Sequence, residues 1–199
     1  MTVRGRPLAS SRAMLQEAAF ELFLENSYAG TTVDQIAQRA GVSRNTFFNY
    51  FPSKSDVFWI DLDESLGLLM STLREAPTGE PVMSSIRDAL LAVARDFGPA
   101  RVPWALTQYS MIGSVHELQA SAMARLSTQA RVLGEFVAGR LPDHARGLGR
   151  AASFAAFGAA VAAAQDWANA GTTRGEFAPY LDAAVTPVCQ GFQGAIDAL

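Results

Sequence analysis

Thr31 to Lys54 reads TTVDQIAQRAGVSRNTFFNYFPSK, and its spacing predicts two short helices joined by a tight turn. Thr32 stands where an N-cap hydroxyl can accept an orphan backbone N–H, and Gln35, three residues on, completes the spacing of a capping box. Val33, Ile36, Ala37 and Ala40 then fall on one helical face. Gly41 follows the last of these, where a left-handed C-cap stops a helix, and Ser43 is placed to cap a second one. In the second helix Phe47 and Phe51 lie four apart and anchor it inward, while Arg44 with Phe48, and Asn45 with Asn49, line a different face. That outward set suits a DNA major groove, because Arg bonds bidentately to guanine and Asn to adenine, while Thr and Tyr hydroxyls more often fix register on phosphate oxygens. Pro52 ends the helix, and Ser53 with Asp56 starts another.

The same run resembles the helix-turn-helix of the TetR family of one-component transcriptional regulators nearly end to end. It shares the Thr-Thr opening, the Ala-Gly-Val-Ser turn, the aromatic-rich reading helix and the closing Lys, and the likeness covers Ser10 to Asp63. Carried over by position, the resemblance implies phosphate contacts at Thr32, Tyr50 and Lys54 and a groove-facing set of Arg44, Asn45 and Thr46. Many relatives have Tyr where Phe48 stands, so Phe48 is expected to touch a thymine methyl or a sugar instead. The resemblance further implies a homodimer on a pseudo-palindromic double-stranded operator, acting as a repressor that a small hydrophobic effector releases.

At 199 residues, with 49% hydrophobic and 18% charged residues, the chain is long and apolar enough for a folded core. Its net charge of −3 hides an asymmetry. Residues 1–55 hold six basic and four acidic side chains, against ten and fifteen in the remainder, so positive charge sits where phosphate would be met. One cysteine, Cys189, excludes an intrachain disulfide, and with two histidines it supplies no zinc cluster, so neither metal nor cofactor is expected. The opening MTVRGRPLASSR has no apolar run after its charges and does not read as a secretory signal. A reducing bacterial cytoplasm is the expected location, and the excess of Arg and Ala hints at a GC-rich genome.

Before the reading unit, Arg4, Arg6 and Arg12 lie in or beside an arm that is either a solvated tail or a minor-groove contact. A first helix is expected over Ser11 to Asn26, with Leu15, Ala18, Ala19, Leu22 and Phe23 as core. After Lys54 one long helical pattern runs through VFWIDLDESLGLLMSTLREA to Pro77, apolar on more than one face. The stretch FFNYFPSKSDVFWIDLDESL also resembles the regulators of mycofactocin gene clusters, which implies an acyl-CoA-like ligand for the larger domain. Asp61 and Asp63 in it are expected to be solvated helix-face charges rather than a catalytic pair.

Further helices are expected over Pro81 to Phe97, on both sides of a break near Gly113 to His116, from Pro142-Asp143, and from about Phe177, with a kink at Pro187. GLGRAA at Gly147 to Ala152 imitates a dinucleotide fingerprint without the strand that such a site needs. Ala151, Ala152, Ala155, Ala159 and Ala163 form a close-packing face, too poor in Leu and Ile to mark a membrane span. Large apolar side chains on the inner helices supply either core or the lining of an effector pocket, for which Phe58, Trp59, Met70, Trp104, Tyr109, Phe154 and Phe157 are the candidates. Arg95, Arg101 or Arg125 would face the phosphates of a nucleotide head.

Without a strand pattern the expected fold is all-α: a DNA-binding three-helix domain over 1–55 and a larger ligand-binding and dimerisation domain over 56–199. The rival classes are an enzyme acting on small molecules or acyl thioesters, which leaves Thr31 to Lys54 unexplained, and a ligand-binding interaction module without specific DNA contacts. No side chain is assigned a catalytic role.

Overall fold

The computed structural model describes residues 8–99, 102–108 and 115–199, and every regular element among them is helical. The chain forms two compact units that part between Ile60 and Asp61. In the first, α1 (Leu8–Gly30) supports α2 (Val33–Arg39) and α3 (Arg44–Tyr50). Leu15, Ala18, Ala19, Leu22 and Phe23, the stripe expected to be core, are all buried, as are Ile36, Ala37, Ala40, Phe47 and Phe51. The helix expected to stop at Asn26 does break there: Ser27 takes a left-handed φ of 64°, and a last turn follows to Gly30.

The continuous helix expected from Val57 is interrupted. Asp56 accepts bonds from the backbone N–H and hydroxyl of Ser53 at 2.8 and 2.7 Å, and this box closes a 3₁₀ turn over Lys54–Phe58. Val57, Phe58 and Trp59 are all buried, and Phe58 stacks on Phe23 of α1 with ring centroids 5.3 Å apart. Helix α4 (Ile60–Glu75) starts only after them.

In the second unit, α5 (Val82–Ala94), α7 (His116–Ala138), α8 (Arg146–Asn169) and α9 (Phe177–Asp197) pack around one core, with the short α6 (Trp104–Thr107) on α8. Met83, Ile86, Leu133, Val137, Ala156, Trp167 and Val185 are among its fully enclosed members. Burial also pushes the Cys189 thiol up to about 11, so it enters the core as a neutral apolar group. Helix α9 runs through Pro187 as one element, and the proline lies on an exposed face, where the carbonyl it leaves without a donor can turn to water.

The helical stretch Asp143–Asn169, which contains α8, is long and apolar enough to cross a bilayer by length and composition. It is nevertheless a bundle helix: Gly149, Ala152, Ser153, Ala156 and Trp167 are buried, and its neighbours are α7 and α9. Its small residues set how closely those neighbours approach. A Cβ built on Gly149 would stand 2.8 Å from Cγ1 of Val137 and 3.2 Å from Cδ1 of Leu141. The glycine of the false dinucleotide motif is thus a packing notch for a stiff, fully buried valine. Gly149→Ala should therefore cost about 1–3 kcal/mol, while Gly67→Ala, whose Cβ meets nothing within 4 Å, should be neutral or gain up to about 1 kcal/mol. Thermal unfolding of the two variants compares them directly.

Candidate nucleic-acid interface

The turn between α2 and α3 is built by side chains and one glycine. Thr32 accepts from the backbone N–H of Gln35 at 3.3 Å, and Gln35 Oε1 accepts from the Thr32 N–H at 2.8 Å, so the capping box is complete. At the other end Gly41 sits at φ 68°, its N–H donating to the Gln38 carbonyl and the Val42 N–H to the Ala37 carbonyl. These are the two bonds of a Schellman stop. Ser43 Oγ then accepts from the Thr46 N–H at 3.0 Å and starts α3.

Phe47 and Phe51, fully buried with centroids 5.3 Å apart, hold α3 against the first unit's core. That leaves Arg44, Asn45, Phe48 and Asn49 exposed and Thr46 and Tyr50 half-buried. Phe48 is 42% exposed, a large apolar ring in contact with solvent. The Arg44 guanidinium lies 5.2 Å from its centroid and donates from Nη1 to Asp34 Oδ2 at 2.7 Å. Two expected contact residues are occupied locally instead: the Thr46 hydroxyl lies 2.8 Å from Ser43 Oγ, and the Thr32 hydroxyl donates to Gln35 Oε1 at 2.9 Å.

Lys54, expected on a phosphate, is turned inward. Its ammonium donates to the carbonyls of Tyr28 and Thr31, both at 2.8 Å, and lies 4.0 Å from the Tyr28 ring centroid. Beside it the Thr31 hydroxyl donates to the Ser27 and Leu22 carbonyls. Lys54 thus gathers the chain leaving α1, where a helix end and a left-handed Ser27 expose carbonyls that need donors. The helical period carries no sign of this bond, since 26 residues separate Lys54 from Tyr28.

A second staple also escaped the sequence reading. Arg39 at the end of α2 donates to Glu21 at 3.0 Å and to Glu25 at 3.0 and 2.7 Å. The hydrogen bonds raise the Arg39 pKa and hold the Glu25 carboxyl below its usual range. Glu21 and Glu25 sit four apart on α1, a like-charge spacing that calls for a cation from outside the helix, and this was the available signal. Of the arm arginines, Arg4 and Arg6 fall outside the described residues, and Arg12 lies 6.0 Å from the Phe51 ring centroid.

The seven residues expected to line one pocket divide between the two units. Phe58 packs on Phe23 and Tyr28 in the first unit, Trp59 is buried just before α4, Phe154 is 60% exposed, and Tyr109 lies outside the described residues, as does Arg101. Met70, Trp104 and Phe157 are half-buried on α4, α6 and α8. Arg125 is engaged in a two-bond pair with Asp63, at 2.9 and 3.0 Å, so Asp63, an exposed helix-face charge as expected, also joins α4 to α7. Between α5 and α9 lies a partly open cleft of about 480 Å³ edged by Ser84, Arg87, Thr186, Cys189 and Gln193, none of them among the expected linings.

Residues 15–58, which include every element of the capped turn, match the family model of bacterial regulatory proteins, tetR family. Residues 80–193, more than half of the chain, match the MftR C-terminal domain. The chain belongs to the TetR family. Its members are transcriptional regulators rather than enzymes, and the helix-turn-helix is their DNA-binding element. A relative from Mycobacterium tuberculosis, named as the mycofactocin biosynthesis transcriptional regulator MftR, is 29% identical over 136 residues, 68% of each chain. Among solved structures, the TetR-family repressor FadR of Thermus thermophilus, in complex with lauroyl-CoA, is 25% identical with a TM-score of 0.54 and covers 90% of this chain and 94% of its own. FadR of Bacillus subtilis, in complex with stearoyl-CoA, shares the fold at 19% identity and a TM-score of 0.59, over 90% and 98% of the two chains.

In this TetR-family chain Lys54→Ala strips two carbonyls of a charged donor and should destabilise the first unit by about 1–3 kcal/mol. Thermal unfolding followed by circular dichroism measures the loss. DNA affinity should fall alike for all sequences, because the whole unit is loosened and no base contact is removed.

Proposed function

We propose that this regulator is a homodimeric repressor that sets α3 of each protomer in the major groove of a pseudo-palindromic operator, in the cytoplasm of a bacterium. The observation that carries this reading is the exposed face of Arg44, Asn45 and Asn49 on a helix capped at its start and anchored by two buried phenylalanines. Arg44 and Asn45 read base edges, while Tyr50 lies at the margin, where a hydroxyl meets phosphate. Dimerisation runs through α8 and α9. Gly147, Ala151, Phe154, Gly158 and Ala162 form an exposed stripe on α8, and Ala183, Pro187, Gly191 and Ala195 another on α9. Small side chains around one exposed phenylalanine suit close helix contact with a second copy. Ala159, by contrast, packs against the core of its own protomer.

The effector is an acyl-CoA. Support comes from the match to the MftR C-terminal domain and from the lauroyl-CoA held by the Thermus thermophilus relative. Of the expected pocket residues, Met70, Trp104 and Phe157 are half-buried in the second unit, with Arg95 exposed at the end of α5. Release requires that the ligand prefer the conformation that does not fit the operator, since equal affinity for both shifts nothing.

Fluorescence anisotropy with duplexes from the regulator's own upstream DNA tests the DNA reading. Affinity should fall steeply with salt, and Arg44→Ala or Asn45→Ala should each cost about 1–3 kcal/mol on the operator. Phe154→Arg should yield monomers and lose the operator together. Flat salt dependence with both reading-helix variants at parental affinity would refute the assignment.

Adding thioesters of increasing chain length to the protein–operator complex tests the effector. Each buried methylene contributes on the order of 0.8 kcal/mol, so displacement should strengthen with length until the cavity is full. Displacement by compact polar compounds alone would overturn the acyl-CoA assignment and leave the repressor standing.

A further inference from the structure

We propose that Asp34, on α2, is a specificity-determining residue that acts by orienting Arg44 on α3. The inference rests on the DNA reading above and adds to it a residue outside the reading helix.

Three features of Arg44 carry the inference. Its Nη1 donates to Asp34 Oδ2 at 2.7 Å, which fixes one corner of the guanidinium. The Phe48 ring lies 5.2 Å from its central carbon, which adds a cation–π contact. Among the described residues, no bond from Nε or Nη2 to the protein accompanies these, so the edge they form together remains available. That edge carries two parallel N–H donors, the arrangement that matches O6 and N7 of guanine.

A long, exposed arginine freely samples many rotamers, and most of them place its charge on the nearest phosphate, which carries no sequence information. Asp34 limits this freedom. Both partners are more than half exposed, so the pair adds little to folding stability; its effect lies in the direction the guanidinium faces. The carboxylate also repels phosphate from the same spot, which disfavours binding to arbitrary DNA. Oriented donors and a locally repulsive charge act in the same sense, toward a larger ratio of specific to non-specific affinity.

The decisive experiment begins with selection from random duplex DNA by the parental protein. Arg44→Ala then identifies the base pair whose preference depends on Arg44. Anisotropy against duplexes carrying each base at that position compares the parent, Asp34→Ala, Asp34→Asn and the double variant Asp34→Ala with Arg44→Ala, and thermal unfolding monitors the fold. Asp34→Ala should lower discrimination at that position on the order of tenfold, with unchanged melting and with equal or tighter binding to unrelated DNA. Asp34→Asn keeps an oxygen acceptor and should retain part of the preference, and in the Arg44→Ala background the loss at Asp34 should vanish. Unchanged base preference in Asp34→Ala, or an equal change for all four bases, would overturn the proposal. Failure of the parent to select any consensus would instead refute the DNA reading beneath it.

Discussion

A single left-handed residue governs the geometry of the reading unit. At Gly41 the chain takes a φ of 68°, which any side chain bearing a Cβ resists, and two backbone bonds close the end of α2 around it. Only four residues, Ala40 to Ser43, then separate α2 from α3, and Ser43 opens the second helix at once. Phe47 and Phe51 meet the core at the depth this turn sets, and the outward direction of Arg44, Asn45 and Asn49 follows from theirs. Loss of the turn would leave each helix of seven residues too short to persist alone.

The first unit compensates for its small size with side chains that bond to distant backbone or to each other. Lys54 joins the Tyr28 and Thr31 carbonyls, Arg39 bridges two carboxylates on α1, and Asp56 closes the turn that buries Phe58. The second unit relies on close apposition. Its α7–α8 crossing depends on a missing Cβ at Gly149, and its polar ties, Arg87 to Asp182 and Arg125 to Asp63, lie outside the fully enclosed core. One unit is thus held by directional bonds at its ends and the other by fitted shape.

Local features were legible in the sequence, and long-range pairings were not. The Thr32 box, the Gly41 stop, the Ser43 cap and the two anchoring phenylalanines all follow from spacings of three or four residues, and all stand as expected. The family resemblance assigns Lys54 to phosphate, and the sequence cannot show that the end of α1 offers two carbonyls beside it. Phe58 and Trp59 follow a helical period that suits either unit, and the Ser53–Asp56 turn decided for the first. Phe154 shows the same limit: a large ring in an alanine-rich helix is core or contact surface according to which neighbours the fold supplies, and here it is 60% exposed.

The distribution of indole rings has a spectroscopic consequence. Trp59 lies buried in the first unit, whereas Trp104 and Trp167 belong to the second, with Trp167 bonded through Nε1 to the Gly175 carbonyl. Intrinsic emission therefore mixes signals from residues of both units. Replacing Trp104 and Trp167 by Phe would leave a single native fluorophore within the helix-turn-helix unit, reporting its melting without any added dye.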